Sequence, residues 1–398
     1  MALYETSSER AGPAKLARPI ELICLALVLA HAVYLAASYV QGIWITAADG
    51  SGVPSDFVNV WAAGRLALAG HAATAYDWPA HKAVEEAAIG RPFDGYFGWH
   101  YPPTFLFVAV ALSLLPYAAA YALWVFGTFP AYAAAIRAII GDRVGYLLAA
   151  AFPAGLANFI AGQNGFLTAG LVGGALLLLA RRPLTAGVLI GLLTYKPHLG
   201  ILFPVALAAG GYWRVFFAAA AVALAMAAAS WLAFGSEAWQ AFFANIGHTS
   251  QAFLSAGAAD WSKLQTAFGL VRTLGGGEAL AWTMQAAVAL SAATAIAMLW
   301  RSRRVADEVK AAALGVGAML ATPYLYTYDL VLLAVPLAFL FRLGRTRGFL
   351  PHELNGIGLA CLLILIFPFV KAPVGFAGIV IVAALIARRA LASQAVAT

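Results

Sequence analysis

The stretch IELICLALVLAHAVYLAASYVQGIW, residues 20–44, determines the class of fold. It is almost wholly apolar, and it is longer than the roughly 20 apolar residues that cross a bilayer. Similar runs recur along most of the 398 residues, of which 63% are hydrophobic and only 10% charged. A soluble domain carries about a quarter charged residues. The sequence therefore predicts an all-α, polytopic membrane protein.

Basic residues stand in short clusters between or beside the apolar runs, for example Arg181 with Arg182, Arg214, and Arg388 with Arg389. Cytoplasmic loops of membrane proteins have this composition. We therefore assign the net charge of +7 to membrane topology and not to nucleic-acid binding. The two cysteines, Cys24 and Cys361, lie inside apolar runs and are interpreted as small core residues.

The apolar runs and basic clusters together predict about twelve transmembrane helices, with a cytoplasmic N-terminus. Counting every run gives the wrong parity, so either 103–116 or 145–160 is predicted to be a half-helix or a re-entrant segment. Short amphipathic helices are predicted at 55–69 and 79–89 in the first outer loop. The resulting order is a cytoplasmic tail at 1–19, a first span at 20–44, an extracytoplasmic loop at 45–100, a transmembrane core at 101–234, a second extracytoplasmic loop at 235–280, C-terminal spans at 281–389 and a cytoplasmic tail at 390–398.

Several functional classes are disfavoured by the motifs. The sequence contains no Walker-type glycine-rich loop, no HExxH and no CxxC. Charges inside the apolar runs are few, which argues against a proton-coupled pump.

Asp56 opens the stretch SDFVNVWAAGRLALAG, residues 55–70, just beyond the first span. A carboxylate at the start of a helix can simply complement the helix dipole. Ser55 is the better N-cap by position, which would leave the Asp56 carboxylate free for chemistry. Both interpretations stay open on the residues alone.

Two later motifs carry polar residues beside apolar runs. GWHYPPTF, residues 98–105, contains His100 and Tyr101, and NFIAGQNGFLT, residues 158–168, contains Gln163 and Asn164. Tyr101 fits an aromatic anchor at the membrane interface, and Gln163 or Asn164 fits a helix cap. The alternative is that these side chains line a cavity and hydrogen-bond a sugar.

Two further motifs place charge or phenols at the ends of apolar runs. In LLTYKPHLG, residues 192–200, the Lys196 ammonium either snorkels to the interface or meets a counter-charge or a phosphate, with His198 as a second donor. In ATPYLYTYDLVLL, residues 321–333, Tyr324 and Tyr328 belong either to an interfacial belt or to a cavity wall. Asp329, at a helix start, is a second candidate base.

The order of SDF, WAAGR, HYPP, GQNG and AGVLIGLLTYKP resembles glycosyltransferase family 87, over about residues 20 to 345. That family belongs to the GT-C superfamily of polyprenyl-phosphate-sugar-dependent transferases and includes mycobacterial mannosyltransferases of phosphatidylinositol mannosides. The resemblance implies that Asp56 is the catalytic base and that Lys196, with His198, holds the donor phosphate. Where mycobacterial members carry a histidine before a late span, this sequence has TPYLYTYD, which leaves the sugar open.

Together these observations predict an inverting glycosyltransferase at the outer face of a bacterial inner membrane. The resemblance implies that it moves a hexose, mannose in the first instance, from a polyprenyl phosphate to a lipid-linked or envelope glycan acceptor. An arabinofuranosyl or glucosyl donor and a non-catalytic glycolipid transporter are the alternatives. No cofactor is predicted, and a divalent metal ion stays open. Further candidates are Arg65 for the phosphate, and Lys263 and Arg272 in the second outer loop for donor or acceptor contacts.

Overall fold

The computed structural model describes residues 18–258 and 260–395. Most of the predicted tail at 1–19 and the last residues of the tail at 390–398 lie outside this range. The α-helices of the described part are α1 Arg18–Val40, α2 Phe57–Leu68, α3 Trp78–Ile89, α4 Leu106–Ser113, α5 Tyr117–Ile140, α6 Val144–Ala151, α7 Pro153–Ala161, α8 Gly165–Leu178, α9 Pro183–Gly191, α10 Pro197–Gly200, α11 Phe203–Gly210, α12 Trp213–Ser250, α13 Ala267–Thr273, α14 Glu278–Arg301, α15 Asp307–Leu320, α16 Ala334–Arg347, α17 Glu353–Ile366 and α18 Val374–Ala395.

Short helical turns connect several of these elements. They are the 3₁₀ turns Ala72–Tyr76, Pro103–Phe105, Leu192–Tyr195, Trp261–Lys263, Thr327–Leu333 and Phe367–Phe369, and the π-helical turn Gln251–Ser255. Within residues 18–258 and 260–395, extended pairing is limited to isolated bridges at Trp44, Thr46 and Gly52. The predicted all-α class is therefore confirmed.

Six helical segments of the described chain are long and apolar enough to cross a membrane: Arg18–Val40, Tyr117–Ile140, Trp213–Ser255, Glu278–Arg301, Thr327–Arg347 and Val374–Ser393. A bent pair raises this number to seven, and further apolar helices are shorter than 18 residues. The predicted number of about twelve spans included these shorter helices. A multi-pass membrane protein follows from either count.

The bent pair is formed by α6 and α7, which meet at an angle of 60°. Phe152 lies between them in an extended conformation, with ψ 123°, and it precedes Pro153. A residue before proline is disfavoured from helical conformation, and proline suits the first turn of the next helix. The break falls in the segment 145–160, one of the two for which the sequence predicted a broken helix.

Residues 45–100, predicted as the first outer loop, contain α2 and α3, which confirms the helices predicted at 55–69 and 79–89. Gly64 allows α2 to lie directly on α4, because a Cβ atom there would stand 2.5 Å from the Ala109 carbonyl carbon. Phe57, at the start of α2, is fully buried and packs its ring against those of Tyr117 and Tyr121. These contacts fix the beginning of α2, where Asp56 lies.

The region 235–280, predicted as an outer loop, is largely helical. Gly235 breaks α12 with φ 80° and ψ 166°, at the point where the apolar run was predicted to end. Beyond this break the chain continues as a helix to Ser250, and α13 follows at Ala267–Thr273. The prediction of a loop rested on hydropathy, which falls after Gly235. The less apolar residues that follow are still compatible with a helix.

The segment Thr327–Arg347 lies in the core of the bundle. In its most apolar stretch of 18 residues, 83% of the residues are buried, compared with 6% for the corresponding stretch of α1. Basic residues gather at the far end of this segment, where Arg345 pairs with Asp142 and Arg342 donates to the Ile139 carbonyl over 3.2 Å. The 14 residues of α8 lead from the GQNG motif towards this basic end, a length of roughly 20 Å. The polar motifs and the basic clusters therefore lie at opposite ends of α8.

Candidate functional site

Asp56 occupies the N-cap position of α2, yet its side chain makes no capping hydrogen bond. Its Oδ2 atom instead accepts a hydrogen bond of 3.1 Å from Gln163 Nε2, a residue 107 positions away in the sequence. The expectation that Ser55 is the N-cap was wrong, because the chain turns into the helix one residue later. The conclusion drawn from it holds, since the carboxylate is not used by its own helix.

A chain of hydrogen bonds fixes the orientation of the Gln163 amide. The Tyr101 hydroxyl donates to Gln163 Oε1 over 3.0 Å, and Asn164 Nδ2 donates to the Tyr101 oxygen over 2.9 Å. With its oxygen facing Tyr101, the amide must present its N–H group to Asp56. The structure thus brings four predicted residues, Asp56, Tyr101, Gln163 and Asn164, into one network.

The end of α7 holds the GQNG motif in place. Tyr121 donates to the Phe159 carbonyl over 2.8 Å, and Trp44 Nε1 donates to the same oxygen over 3.1 Å. The last carbonyls of a helix have no partner within the helix, so these bonds satisfy groups that would otherwise be unpaired. Gly162 then turns the chain with φ +65°, and a Cβ atom there would lie 2.6 Å from Phe57 Cβ. A larger residue would therefore separate this turn from α2.

Asn158 is the side chain that caps α8, a role that the sequence had suggested for Gln163 or Asn164. Its Oδ1 atom accepts a hydrogen bond of 2.8 Å from the Gly165 backbone N–H. Asn164 takes the N-cap position without a side-chain capping bond. Its buried Oδ1 atom consequently has no hydrogen-bond partner among the described residues and is available as an acceptor.

Lys196 is buried and pairs with Asp329, whose carboxylate is buried as well. The second oxygen of Asp329 accepts from the Tyr326 backbone N–H over 3.1 Å, so the same carboxylate also caps the turn Thr327–Leu333. The snorkelling alternative for Lys196 is wrong, because the ammonium has an internal counter-charge. Sequence reasoning named Asp329 only as a second base and missed it as this partner.

Burial is the main influence on Asp56 and raises the pKa of its carboxyl above the ordinary value of 3.8. The nearby Asp329 carboxylate raises that pKa further, whereas the Gln163 hydrogen bond, the Lys263 ammonium and the Tyr328 hydroxyl lower it. Raised carboxyl pKa values are typical of groups that take up a proton during a reaction at neutral pH. These contributions also place Tyr328 and Lys263 in the neighbourhood of Asp56.

His100 and Tyr324 lie beside the end of α12 and not in the Asp56 network. His100 Nδ1 is 3.0 Å from Thr249 Oγ1, and Tyr324 donates to the Thr249 carbonyl over 2.9 Å. Burial lowers the pKa of His100 to about 4, so its imidazole is neutral at physiological pH. His198 is half-buried, two residues after Lys196.

The two predicted arginines have other surroundings. Arg272 donates to the Ser255 carbonyl over 3.2 Å, and its guanidinium lies 4.1 Å from the centroid of the Trp261 ring. Arg65 is exposed, 5.5 Å from the Trp61 ring and roughly 13 Å along α2 from Asp56. These placements give no contact with Asp56, so the phosphate role of Arg65 stays a prediction without structural support.

A cluster of three or more His, Cys, Asp or Glu side chains that could hold a metal ion is not found within residues 18–258 and 260–395. The site offers a buried carboxylate, amides, phenols and a paired ammonium. Such groups can accept a proton, hydrogen-bond hydroxyl groups and stabilise negative charge.

Comparison with known proteins gives one match. The model of glycosyltransferase family 87 matches residues 99–325, more than half of the chain. The matched range includes Tyr101, Gln163, Asn164 and Lys196, and it begins after Asp56. No curated protein matches the chain, and no solved structure matches it.

Proposed function

The chain belongs to glycosyltransferase family 87, and from this membership we propose that it moves a hexose, mannose in the first instance, from a polyprenyl phosphate to an acceptor hydroxyl. The acceptor is a lipid-linked or envelope glycan, and the reaction takes place at the outer face of a bacterial inner membrane. The observation that carries the proposal is the Asp56 carboxylate, which is oriented by Gln163 and not engaged as a helix cap.

The proposed step is a single inverting displacement. The acceptor hydroxyl oxygen attacks the anomeric carbon while Asp56 takes its proton. The bond between that carbon and the phosphate oxygen breaks, and its electron pair leaves with the polyprenyl phosphate. Proton transfer to a positioned base contributes about 10²–10⁴-fold to the rate of such a step.

Negative charge that builds on the leaving phosphate needs a cation close by. Lys196 is the first candidate because Asp329 holds its ammonium in a fixed position. Lys263 is the second, since its side chain is exposed and its charge acts on Asp56. In this proposal the incoming phosphate shares Lys196 with Asp329.

The sugar would be recognised by neutral hydrogen-bonding groups and by phenol rings. Asn164 offers a buried oxygen without a partner among the described residues. Tyr328 stacks on Tyr326, with 5.7 Å between ring centroids, and its hydroxyl lies near Asp56. Aromatic rings of this kind pack against the apolar faces of sugars.

Two alternatives differ in their support. A non-catalytic glycolipid transporter is disfavoured by membership in a transferase family. An arabinofuranosyl or glucosyl donor would use the same base and the same phosphate contacts. The stretch TPYLYTYD departs from the mycobacterial pattern, so arabinose and glucose donors are tested beside the mannose donor.

The test is sugar transfer by purified protein in detergent, from radiolabelled polyprenyl-phosphate mannose, glucose or arabinose to a membrane-lipid extract. Asp56→Asn keeps the shape of the side chain and removes the base, and we expect it to lower transfer by about 10²–10⁴-fold. Asp49→Asn is the matched control, because Asp49 is an exposed acid in the same outer loop. Equal transfer by wild type and Asp56→Asn would refute the role of Asp56.

A further inference from the structure

Helices α9 and α12 pack closely along their first turns. Gly187 and Gly191 lie on the contact face of α9, where Cβ atoms would stand 2.8 Å from the Val215 and Ala219 carbonyl oxygens, respectively. Small residues four apart are the usual means by which membrane helices approach each other. Gly187 faces Val215, and Gly191, four residues later, faces Ala219, four residues after Val215. The two helices therefore run parallel.

This parallel packing brings two arginines to one cavity. Arg182 immediately precedes α9, and Arg214 is the second residue of α12. Both line an open cavity of about 460 Å³, together with Pro183, Leu184 and Thr185. The cavity presents two guanidinium groups and one hydroxyl.

The charges of these arginines are not compensated by the described part of the protein. Two other arginines differ in this respect, since Arg345 pairs with Asp142 and Arg389 pairs with Glu353. For Arg182 and Arg214, the described residues provide neither an ion pair within 4.0 Å nor a hydrogen-bond acceptor for the side chain.

The wall beside the cavity is apolar and faces outward. Leu184, Trp213 and Phe217 are 66%, 51% and 64% exposed, respectively. In a membrane such a surface is covered by acyl chains. An uncompensated cationic cavity directly beside a lipid-facing surface fits a ligand that carries both an anionic phosphate and hydrocarbon chains.

We propose that the cavity between the starts of α9 and α12 binds the phosphodiester headgroup of an acidic phospholipid through Arg182 and Arg214. A guanidinium group can donate two parallel hydrogen bonds to the oxygens of one phosphate. Basic pockets between membrane helices recognise lipid headgroups. The site lies beyond the opposite end of α9 from Lys196, so it is separate from the proposed transfer site. It does not depend on which sugar the protein transfers.

Arg181 provides a matched control for the proposal. It is adjacent in sequence, but it lines a different cavity, of about 170 Å³, which also contains the carboxylates of Asp307 and Glu308. Arg181 therefore has carboxylates beside it, whereas the residues that line the cavity of Arg182 and Arg214 include none. Arg181→Gln removes the same chemical group at the same end of the protein without touching the proposed lipid site.

The experiment is native mass spectrometry of the purified full-length protein in neutral detergent, titrated with phosphatidylglycerol or with phosphatidylcholine of the same acyl chains. We expect one phosphatidylglycerol to bind in preference to phosphatidylcholine. The double variant Arg182→Gln/Arg214→Gln should bind it about 30-fold more weakly, because each basic residue near an anionic lipid contributes about 1 kcal/mol. Arg181→Gln should bind it within about 3-fold of wild type.

Three outcomes would overturn the proposal: equal binding of both lipids, equal loss in Arg181→Gln, or displacement of phosphatidylglycerol by inorganic phosphate at the same concentration. Both arginines are exposed, so we expect the lipid-free double variant to melt at the wild-type temperature. If the double variant melts at a lower temperature, phosphatidylglycerol binding is measured with Arg182→Lys and Arg214→Lys instead. Lysine keeps the positive charge but cannot donate the two parallel hydrogen bonds of a guanidinium group. Wild-type affinity in both lysine variants would then refute the guanidinium contact.

Discussion

At the scale of single residues, the environment of Asp56 sets the pH dependence of the proposed reaction. A base must be deprotonated, so we expect kcat/KM to rise with pH along an acid limb that lies above 3.8, since burial raises the pKa of Asp56. The effect on stability has the opposite sign. A raised folded-state pKa contributes stability below the unfolded-state pKa, and this contribution is lost as pH rises through the folded-state pKa.

Gln163→Leu tests the hydrogen bond that opposes burial. Removal of the Nε2 donor leaves the ionised form of Asp56 less stabilised, so the pKa of Asp56 should rise. A hydrogen bond to a charged group is worth about 1.5–3 kcal/mol, and the acid limb should therefore move up by about one pH unit or more. The measurement is the pH profile of kcat/KM for both proteins. An unchanged acid limb, with activity merely reduced, would contradict the contact.

Tyr101→Phe tests the residue that connects the two amides. The hydroxyl both donates to Gln163 and accepts from Asn164, so its loss leaves two amide groups of the network without this partner. We expect the free energy of unfolding to fall by about 1–3 kcal/mol, and we expect kcat to fall by a larger factor than substrate affinity. Transfer kinetics and melting temperature check this. Tyr146→Phe, which changes an exposed tyrosine on α6, is the control and should leave both unchanged.

At the scale of elements, the start of α8 lies directly against the turn Thr327–Leu333. A Cβ atom at Gly165 would stand 2.5 Å from the Tyr328 carbonyl oxygen, which a methyl group cannot tolerate without displacing the backbone. We expect Gly165→Ala to destabilise the protein by about 1–3 kcal/mol and to reduce transfer, because Tyr328 would move relative to Asp56.

Gly358→Ala is the control for this substitution. Gly358 lies inside α17, and a Cβ atom there would meet nothing within 4 Å. Alanine is favoured over glycine in a helix by about 0.5–1 kcal/mol, so this variant should melt at the same or a higher temperature. A Gly165→Ala protein that behaves like Gly358→Ala would refute the close contact.

Elements that follow from local patterns could be predicted from the sequence. Hydropathy gave the class of fold, the helices α2 and α3, and a break in 145–160, because apolar runs and Pro153 act over a few neighbouring residues. The partner of Lys196 and the capping role of Asn158 could not be predicted. Both depend on contacts that form only when α8 packs against the segment Thr327–Arg347. In addition, each motif contains several polar residues that could have filled the same role.

At the scale of the whole molecule, the Lys196–Asp329 pair joins parts of the chain that are 133 residues apart. Removal of one member leaves a buried unpaired charge, which costs about 3–5 kcal/mol, whereas replacement of both by apolar residues is often nearly neutral. We therefore expect Lys196→Met and Asp329→Leu each to lower the melting temperature and the double variant to recover much of the loss. Thermal unfolding in detergent measures this cycle.

The same three proteins separate stability from the proposed function. If Lys196 stabilises the leaving phosphate, the double variant should recover much of the lost stability and still transfer sugar at a strongly reduced rate. A double variant that is both stable and fully active would show that the pair has only a structural role. Simple addition of the two single destabilisations would instead argue against a direct ion pair.

The distance in sequence between Lys196 and Asp329 also has a consequence for biosynthesis. At roughly 5–20 residues per second, a ribosome needs on the order of 7–27 s to make the residues between them. During this time Lys196 has been made and Asp329 has not, so the ammonium lacks its counter-charge. A nascent chain that stops before Asp329 therefore retains a lone ammonium in an apolar setting, and such incomplete chains should be recognised by membrane proteases more readily than the finished protein.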